Sequence, residues 1–319
     1  MESHFRSSAF VLSLIFILPG LLASLPCTSA PSQQTAVSAS SVAALESRAE
    51  AGDAVAQYDL AVEHLRSDPA APDYNSAIKW LSASAAQGNV DAEFLLGYLY
   101  EHGEGTERNY AKAAGNYQAA AGKGHAAAAN NLASLHHHGM GVPKDLRKAL
   151  ELYLAAAQAG DSVGQSNLAL MYCRGEGTAR NYVLAAKWFR AAAEQGDAHA
   201  QHGLGFLYYE GLGVRTDYTE SARWERLAAE HGDPRAQADL ANLYESGRGA
   251  PLDYVAAYTW YSRAISGGDR TAVARRKSLA SIMTKRQLDE ANAVLMADSS
   301  KPQRRSTPIT AALALLESH

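Results

Sequence analysis

Glycine recurs every 36 residues along most of this chain, at Gly52, Gly88, Gly124, Gly160, Gly196, Gly232 and Gly268. A fixed period of this size marks a stack of supersecondary blocks. Each block has an apolar face that it cannot hide alone, so neighbours pile up and share one continuous core. Other residues keep the same phase. Leucine stands at Leu60, Leu96, Leu132, Leu168, Leu204 and Leu240, with a tiny residue four positions before it each time. Gly-x-Gly pairs follow, from Gly103 and Gly105 to Gly247 and Gly249. Then comes Asp73, Asn109, Asp145, Asn181, Asp217 or Asp253, and after it an alanine that becomes Ser221 once. Three residues further stands Trp80, Trp188, Trp224 or Trp260, with Asn116 and Leu152 as exceptions.

These marks translate into two helices per unit. In 198–210 the small and apolar residues Ala200, Leu204 and Leu207 share one helical face. The Gly-x-Gly that ends this stretch supplies backbone conformations that other residues resist. The Asp or Asn after it is a helix N-cap, whose side-chain oxygen accepts from an orphan N–H. The second helix runs from there to the periodic glycine, which sits where a left-handed terminator belongs. Asp233 followed by Pro234 is the favoured order of N-cap and first helical residue.

The pattern A-x-x-x-L-(A/G)-x-x-Y-x-x-G-x-G-x-x-x-(D/N)-Y-x-x-A-x-x-W-(Y/F)-x-x-A-A-x-x-G resembles the Sel-one-like repeat, a relative of the tetratricopeptide repeat. It recurs in phase over 53–268, which makes six units. The resemblance implies an all-α fold, a right-handed superhelical α-solenoid of antiparallel helix pairs. It also implies an adaptor that assembles or regulates other proteins.

The ends are different. Residues 9–25 are almost wholly apolar, with Arg6 and His4 before them. Segment 1–30 reads as a secretory signal peptide, with an uncleaved membrane anchor as its rival. Cys27 follows Pro26, which does not resemble the small residue of a lipidation motif. Segment 31–41 is rich in Ser, Gln and Ala and reads as a flexible linker. Segment 42–52 resembles a second helix without its first, hence an N-terminal cap. Segment 269–298 reads as a C-terminal helical cap with Arg275, Arg276, Lys277, Lys285 and Arg286 exposed, and 299–319 as a mobile tail. The expected location is therefore outside the cytoplasm: periplasmic or secreted, or membrane-anchored if the leader is retained.

A net charge of −4 shows no basic field of the kind that nucleic acid attracts. There are only two cysteines, and loss of Cys27 with the leader would leave Cys173 alone. Some secreted relatives of the repeat carry cysteine pairs that staple each unit. Their absence here argues against carrying over the cell-wall or β-lactam-directed activity attributed to that branch. No Gly-x-Ser-x-Gly, His-Glu-x-x-His or phosphate loop occurs, so neither an enzyme nor a cofactor is expected. His136, His137 and His138 are consecutive, and successive helical residues point about 100° apart, which suits a solvated helix end better than a metal site. No metal ligand is expected elsewhere. Cys173 falls at a variable position and reads as a bystander. The polar pair Asn116 and His136 replaces Trp and Tyr at the seam between the second and third units, which suggests a hydrogen bond across that seam.

In related solenoids the first helix of each unit lines the concave face. On that basis the side chains not spent on packing are Tyr58, Phe94, Tyr98, Asn130, Asn131, Ser134, Asn167, Leu170, His202, Phe206 and Tyr209. Aromatic rings give contact area at small entropic cost, and amides can bond a peptide backbone in both directions. Asn131 and Asn167, equivalent in adjacent units, could form an amide ladder on an extended peptide. The expected partner is a protein or peptide, with peptidoglycan binding or a cell-wall enzyme as the alternatives. No nucleic acid is expected, and a membrane only through the leader.

Overall fold

The structure is a computed structural model that describes residues 39–68 and 71–299. The leader, most of the linker and the tail lie outside these residues. Among the described residues there are fifteen helices and no strands. The first helices of the six units are α2 (Ala54–Arg66), α4 (Val90–His102), α6 (Ala126–His138), α8 (Ser162–Arg174), α10 (Ala198–Glu210) and α12 (Pro234–Ser246). The second helices are α3 (Tyr74–Ala86), α5 (Tyr110–Gly122), α7 (Leu146–Gln158), α9 (Tyr182–Glu194), α11 (Tyr218–Glu230) and α13 (Tyr254–Ser266). One helix precedes them, α1 (Ala39–Glu50), and two follow, α14 (Ala272–Ile282) and α15 (Lys285–Ser299). From α1 to α14 each helix packs on its neighbours in the chain, and α15 packs on α13.

Helices of 13 residues are too short to be stable alone, so their ends matter. Every second helix starts at its Asp or Asn, whose side chain accepts from backbone N–H groups; the Asp145 carboxylate takes those of Arg147 at 3.0 Å and Lys148 at 2.9 Å. The first helices are capped in the same way by Asp53, Asn89, His125, Asp161, Asp197 and Asp233, the residue after each periodic glycine. Of this series only Asp233 was legible as a cap beforehand. His125 does the same job through its ring, with Nδ1 accepting from the N–H of Ala128 at 3.2 Å. Such a cap contributes about 1 kcal/mol.

Two glycine positions are required by backbone geometry. The periodic glycines hold φ between +86° and +99°, where an L side chain is strained. The second glycine of each Gly-x-Gly presses its backbone on the start of the preceding unit's second helix. A Cβ on Gly141 would stand 2.3 Å from the carbonyl carbon of Tyr110, and one on Gly213 would stand 2.2 Å from that of Tyr182. The repeat loop is thus a contact between units as well as a turn.

Packing then follows the repeat. Alanines such as Ala92, Ala113, Ala128 and Ala149 are fully buried and let the axes approach. In four of the six units one large ring fills the remaining space: Tyr117, Tyr153, Phe189 and Tyr261 are sealed at the same place. Burying a ring of this size contributes about 1.5–3 kcal/mol. The first unit has the smaller Leu81 there, and the fifth has Glu225, which is as fully buried as the rings it replaces.

Two expectations need correction. Asn116 and His136 do not bond each other: Asn116 Nδ2 donates to Lys112 O at 2.8 Å, and His136 Nδ1 lies 3.3 Å from Pro143 O. Each polar side chain finds a carbonyl close by in sequence, which costs less ordering than a bond across the seam. Arg276 is half-buried, not exposed, because its guanidinium reaches back over the Tyr258 ring and donates to Ser262 Oγ at 3.2 Å.

Candidate functional site

The face made by the first helices carries the side chains expected to meet a partner. It is more closed than the sequence implies. Of the eleven side chains expected to be free of packing, Phe94, Tyr98, Asn130, Asn131, Ser134, Asn167, Leu170 and His202 are buried. Tyr58, Phe206 and Tyr209 are half-buried. The reason is geometric. Among the first helices α6 and α8 touch directly, so the side chains between them meet each other and not solvent. The Phe94 ring stacks on His125 at 4.5 Å, and Tyr98 stacks on His102 at 4.0 Å.

A buried polar clamp also repeats across this face. Gln57, Gln165, Gln201 and Gln237 each donate through Nε2 to a carbonyl in the last turn of the preceding helix, at 3.0–3.2 Å. Within the unit, the residue after the second helix completes the clamp. Gln87 donates to Gln57 Oε1 at 2.9 Å, Gln195 donates to Gln165 Oε1 at 2.8 Å, and the His231 ring bonds Gln201 Oε1 at 3.0 Å. The second unit uses charge instead, with Lys123 Nζ 2.7 Å from Glu93 Oε1. The third unit has Ala129 and Ala159 at these places and no clamp. In the sixth unit the partner position is Gly267, and Gln237 Oε1 is left buried with no hydrogen bond.

Two polar clusters stand at equivalent places two repeats apart. The first is neutral. Asn167 Nδ2 on α8 donates to Asn130 Oδ1 on α6 at 3.0 Å, and Asn130 Nδ2 donates to Asn131 Oδ1 at 3.1 Å. The amides expected to bond a peptide instead bond each other inside the protein, through Asn130. Asn167 Oδ1 is buried without a hydrogen bond. The second cluster is ionisable. His202 on α10 takes the place of Asn130, Asp239 on α12 that of Asn167, and Glu225 on α11 that of Tyr153. His202 Nδ1 lies 2.9 Å from Glu225 Oε2 and 3.9 Å from Asp239 Oδ2.

Burial dominates the electrostatics here. It pushes the Glu225 carboxyl well above the usual carboxylate range, and the Asp233 charge adds to the effect. Asp239 is pushed up to about 7 by burial and by the Glu225 charge. Burial pushes His202 down, which favours its neutral imidazole. Asp233 differs: although burial opposes it, hydrogen bonding from His199 and the His202 and Arg235 charges hold its carboxyl far below the usual range. Its guanidinium partner, Arg235, bonds it at 3.0 Å.

The sequence reading included His202 but missed Glu225 and Asp239. The signal was present, since Glu225 follows Trp224 where other units place Leu81, Tyr117, Tyr153, Phe189 or Tyr261. The three-histidine tract separates. His137 is buried against Glu176, with Nε2 2.8 Å from Oε2, while the exposed His138 bonds the Ser134 carbonyl. Cys173 is buried in the core that also holds Phe189, and burial pushes its thiol up to about 12. A thiol so placed is a poor nucleophile.

The Sel1 repeat pattern matches residues 54–89, 90–125, 126–161, 162–197, 198–233 and 234–269 without a gap. The chain belongs to the Sel1 repeat family. Among solved structures, this Sel1 repeat protein is similar to a protective antigen present in uropathogenic Escherichia coli strains that displays an SLR fold. The two share 33% identity with a TM-score of 0.72, over 78% of this chain and 54% of the antigen. It is also similar to a Sel1 repeat protein from Oxalobacter formigenes, with 34% identity and a TM-score of 0.56, over 62% of this chain and 84% of that one. The chain thus spans about half the length of the antigen. No curated protein matches it. Among the described residues no helix is long and apolar enough to cross a membrane.

Proposed function

We propose that this Sel1 repeat protein is an exported, non-catalytic scaffold that grips a protein or peptide through the face of its first helices. The observation that carries the reading is the distribution of departures from the repeat. Caps, loop glycines and packing alanines stay nearly constant from unit to unit. The changes of chemistry gather at the packing between helices, at Asn130, Asn131 and Asn167 and again at His202 and Asp239 on the first helices and Glu225 on α11. A stack that repeats its frame and changes the residues of its first helices from unit to unit has the form of a binding solenoid.

Burial narrows the contact surface. Tyr58, Phe206 and Tyr209 are the members of the expected set with area left to offer. Tyr209 is held in place, with its ring 5.3 Å from that of Tyr218 and its hydroxyl accepting from Arg248 Nη1 at 3.3 Å. A rigid aromatic of this kind suits an anchor residue, because little entropy is lost when a partner covers it. The apolar leader of 1–30 supports export.

The test is photocrosslinking. A photoreactive residue at Phe206 or Tyr209 is expected to capture one defined partner. The same group at Val183, exposed on the second helix α9, is expected not to. Equal capture from both faces would remove the reading. N-terminal sequencing of the protein recovered outside the cytoplasm checks whether the leader is cleaved.

A further inference from the structure

One departure from the repeat, Glu225, meets residues from two variable positions at one point. His202 stands where other units have Tyr58, Phe94, Asn130, Ser166 or Ala238. Asp239 stands where they have Asp59, Leu95, Asn131, Asn167 or Gly203, and Glu225 interrupts a series of apolar and aromatic residues. A fourth residue accommodates them. Gly205 leaves room that a Cβ would fill, at 2.7 Å from Glu225 Oε1; the equivalent residues are Ala61, Gly97, Ala133, Ala169 and Ala241. The other glycine of that series, Gly97, clears space for the Tyr117 ring in the same manner.

A buried carboxylate with one donor is expensive. Glu225 is 1% exposed, and among the described residues its carboxylate is hydrogen-bonded by His202 alone. The surrounding charges do not neutralise the cluster. Arg235 is bound to Asp233, while Asp233, Asp269 and Arg275 act from further off. Two carboxylates and an imidazole held together in this way are the donor set of a cation site. Donors on a tetrahedral zinc ion, with bonds of about 2.1 Å, stand about 3.4 Å apart. The pairs at 2.9 Å and 3.9 Å bracket that spacing, and the three ligand atoms all lie within 4.8 Å of one another.

We propose that His202, Glu225 and Asp239 bind a divalent transition-metal cation, zinc by preference, with a fourth position open to solvent. Nitrogen with two carboxylate oxygens suits zinc better than calcium or magnesium, which take oxygen alone. Asp239 has 31% of its side chain exposed, which gives the ion a way in. The cation replaces the proton that His202 Nδ1 now shares with Glu225, and that proton leaves to solvent. Bound there, it ties α10, α11 and α12 together across the joint between the fifth and sixth units. Its open position is available to a carboxylate or imidazole from outside.

The test is calorimetric titration of the metal-free full chain with zinc chloride. One equivalent per chain is expected, with affinity weakened more than about tenfold in both D239N and E225Q and unchanged in H138N. Absence of saturable binding overturns the site, and so does binding weakened only by H138N. If a variant loses its helical signal, the wild-type chain with cobalt chloride decides. Paramagnetic broadening of the His202 ring resonances supports the site, and broadening confined to His136, His137 and His138 overturns it.

Discussion

The neutral cluster around Asn130 and the ionisable cluster around His202 occupy the same places on the same scaffold, two repeats apart. In the first, Asn167, Asn130 and Asn131 pass hydrogen bonds along a chain of amides, and the ring position of that unit holds the fully buried Tyr153. In the second, Glu225 puts a carboxylate where that ring would be, and Gly203 stands in place of Asn131. The difference teaches how a repeat tolerates polarity inside. Amides can satisfy each other, because each carries donors and an acceptor. Carboxylates only accept, so the second arrangement needs a proton or a cation from elsewhere.

Turning the first region into the second in part is the most severe way to break this comparison. Y153E places a carboxylate at that ring position without a histidine to face it, and is expected to cost about 3–5 kcal/mol in denaturant unfolding. The loop glycines test whether the frame beneath is the same in both regions. G141A and G213A each drive a Cβ into backbone of the preceding unit, and each is expected to cost about 3 kcal/mol, equal within error. Unequal losses would show that the two regions do not share one scaffold energetically.

Smaller effects sharpen the picture. N167L removes a donor from Asn130 Oδ1 while relieving the unbonded Asn167 Oδ1, and is expected to cost about 1 kcal/mol in urea unfolding. A larger loss would mean that the amide chain is worth more than its separate bonds. Between the two regions Cys173 is buried in the core that also holds Phe189, and a thiol reagent is expected to leave it unmodified in the native chain and label it fully after unfolding. Mass spectrometry reads that difference directly.

The smallest expected effect is on acid stability through the caps. Asp145 at the start of α7 is held below its ordinary value by the N–H groups of Lys148 and Arg147; Asp53 and Asp73 are lowered too, chiefly by Arg48 and by Ser76. A carboxyl lowered on folding contributes stability above its unfolded value, near pH 4. That contribution fades as pH falls through the lowered folded value. Thermal melts at decreasing pH are expected to lose less between pH 7 and 5 than below 4 in this respect, and D145A is expected to flatten the acid branch slightly.

Much of the fold was legible in residues that act locally. An N-cap needs only the next turn of helix, and a left-handed glycine only its own φ, so Asp73, Asn109 and Gly52 declare themselves in one dimension. The period then places the units in order, because each block can bury its face only against the next. The site was less legible. Whether Phe94 or Asn130 faces solvent depends on how closely neighbouring first helices approach, and that distance is set by packing across the whole stack. His202, Glu225 and Asp239 come from three different helices. Their residue types were visible in the sequence, but their meeting was not. The sequence by itself determined a solenoid of six capped helix pairs, since period, caps and glycines are properties of short stretches. Only the tertiary structure decided which polar side chains are buried together, since burial belongs to the space between elements and not to any one of them.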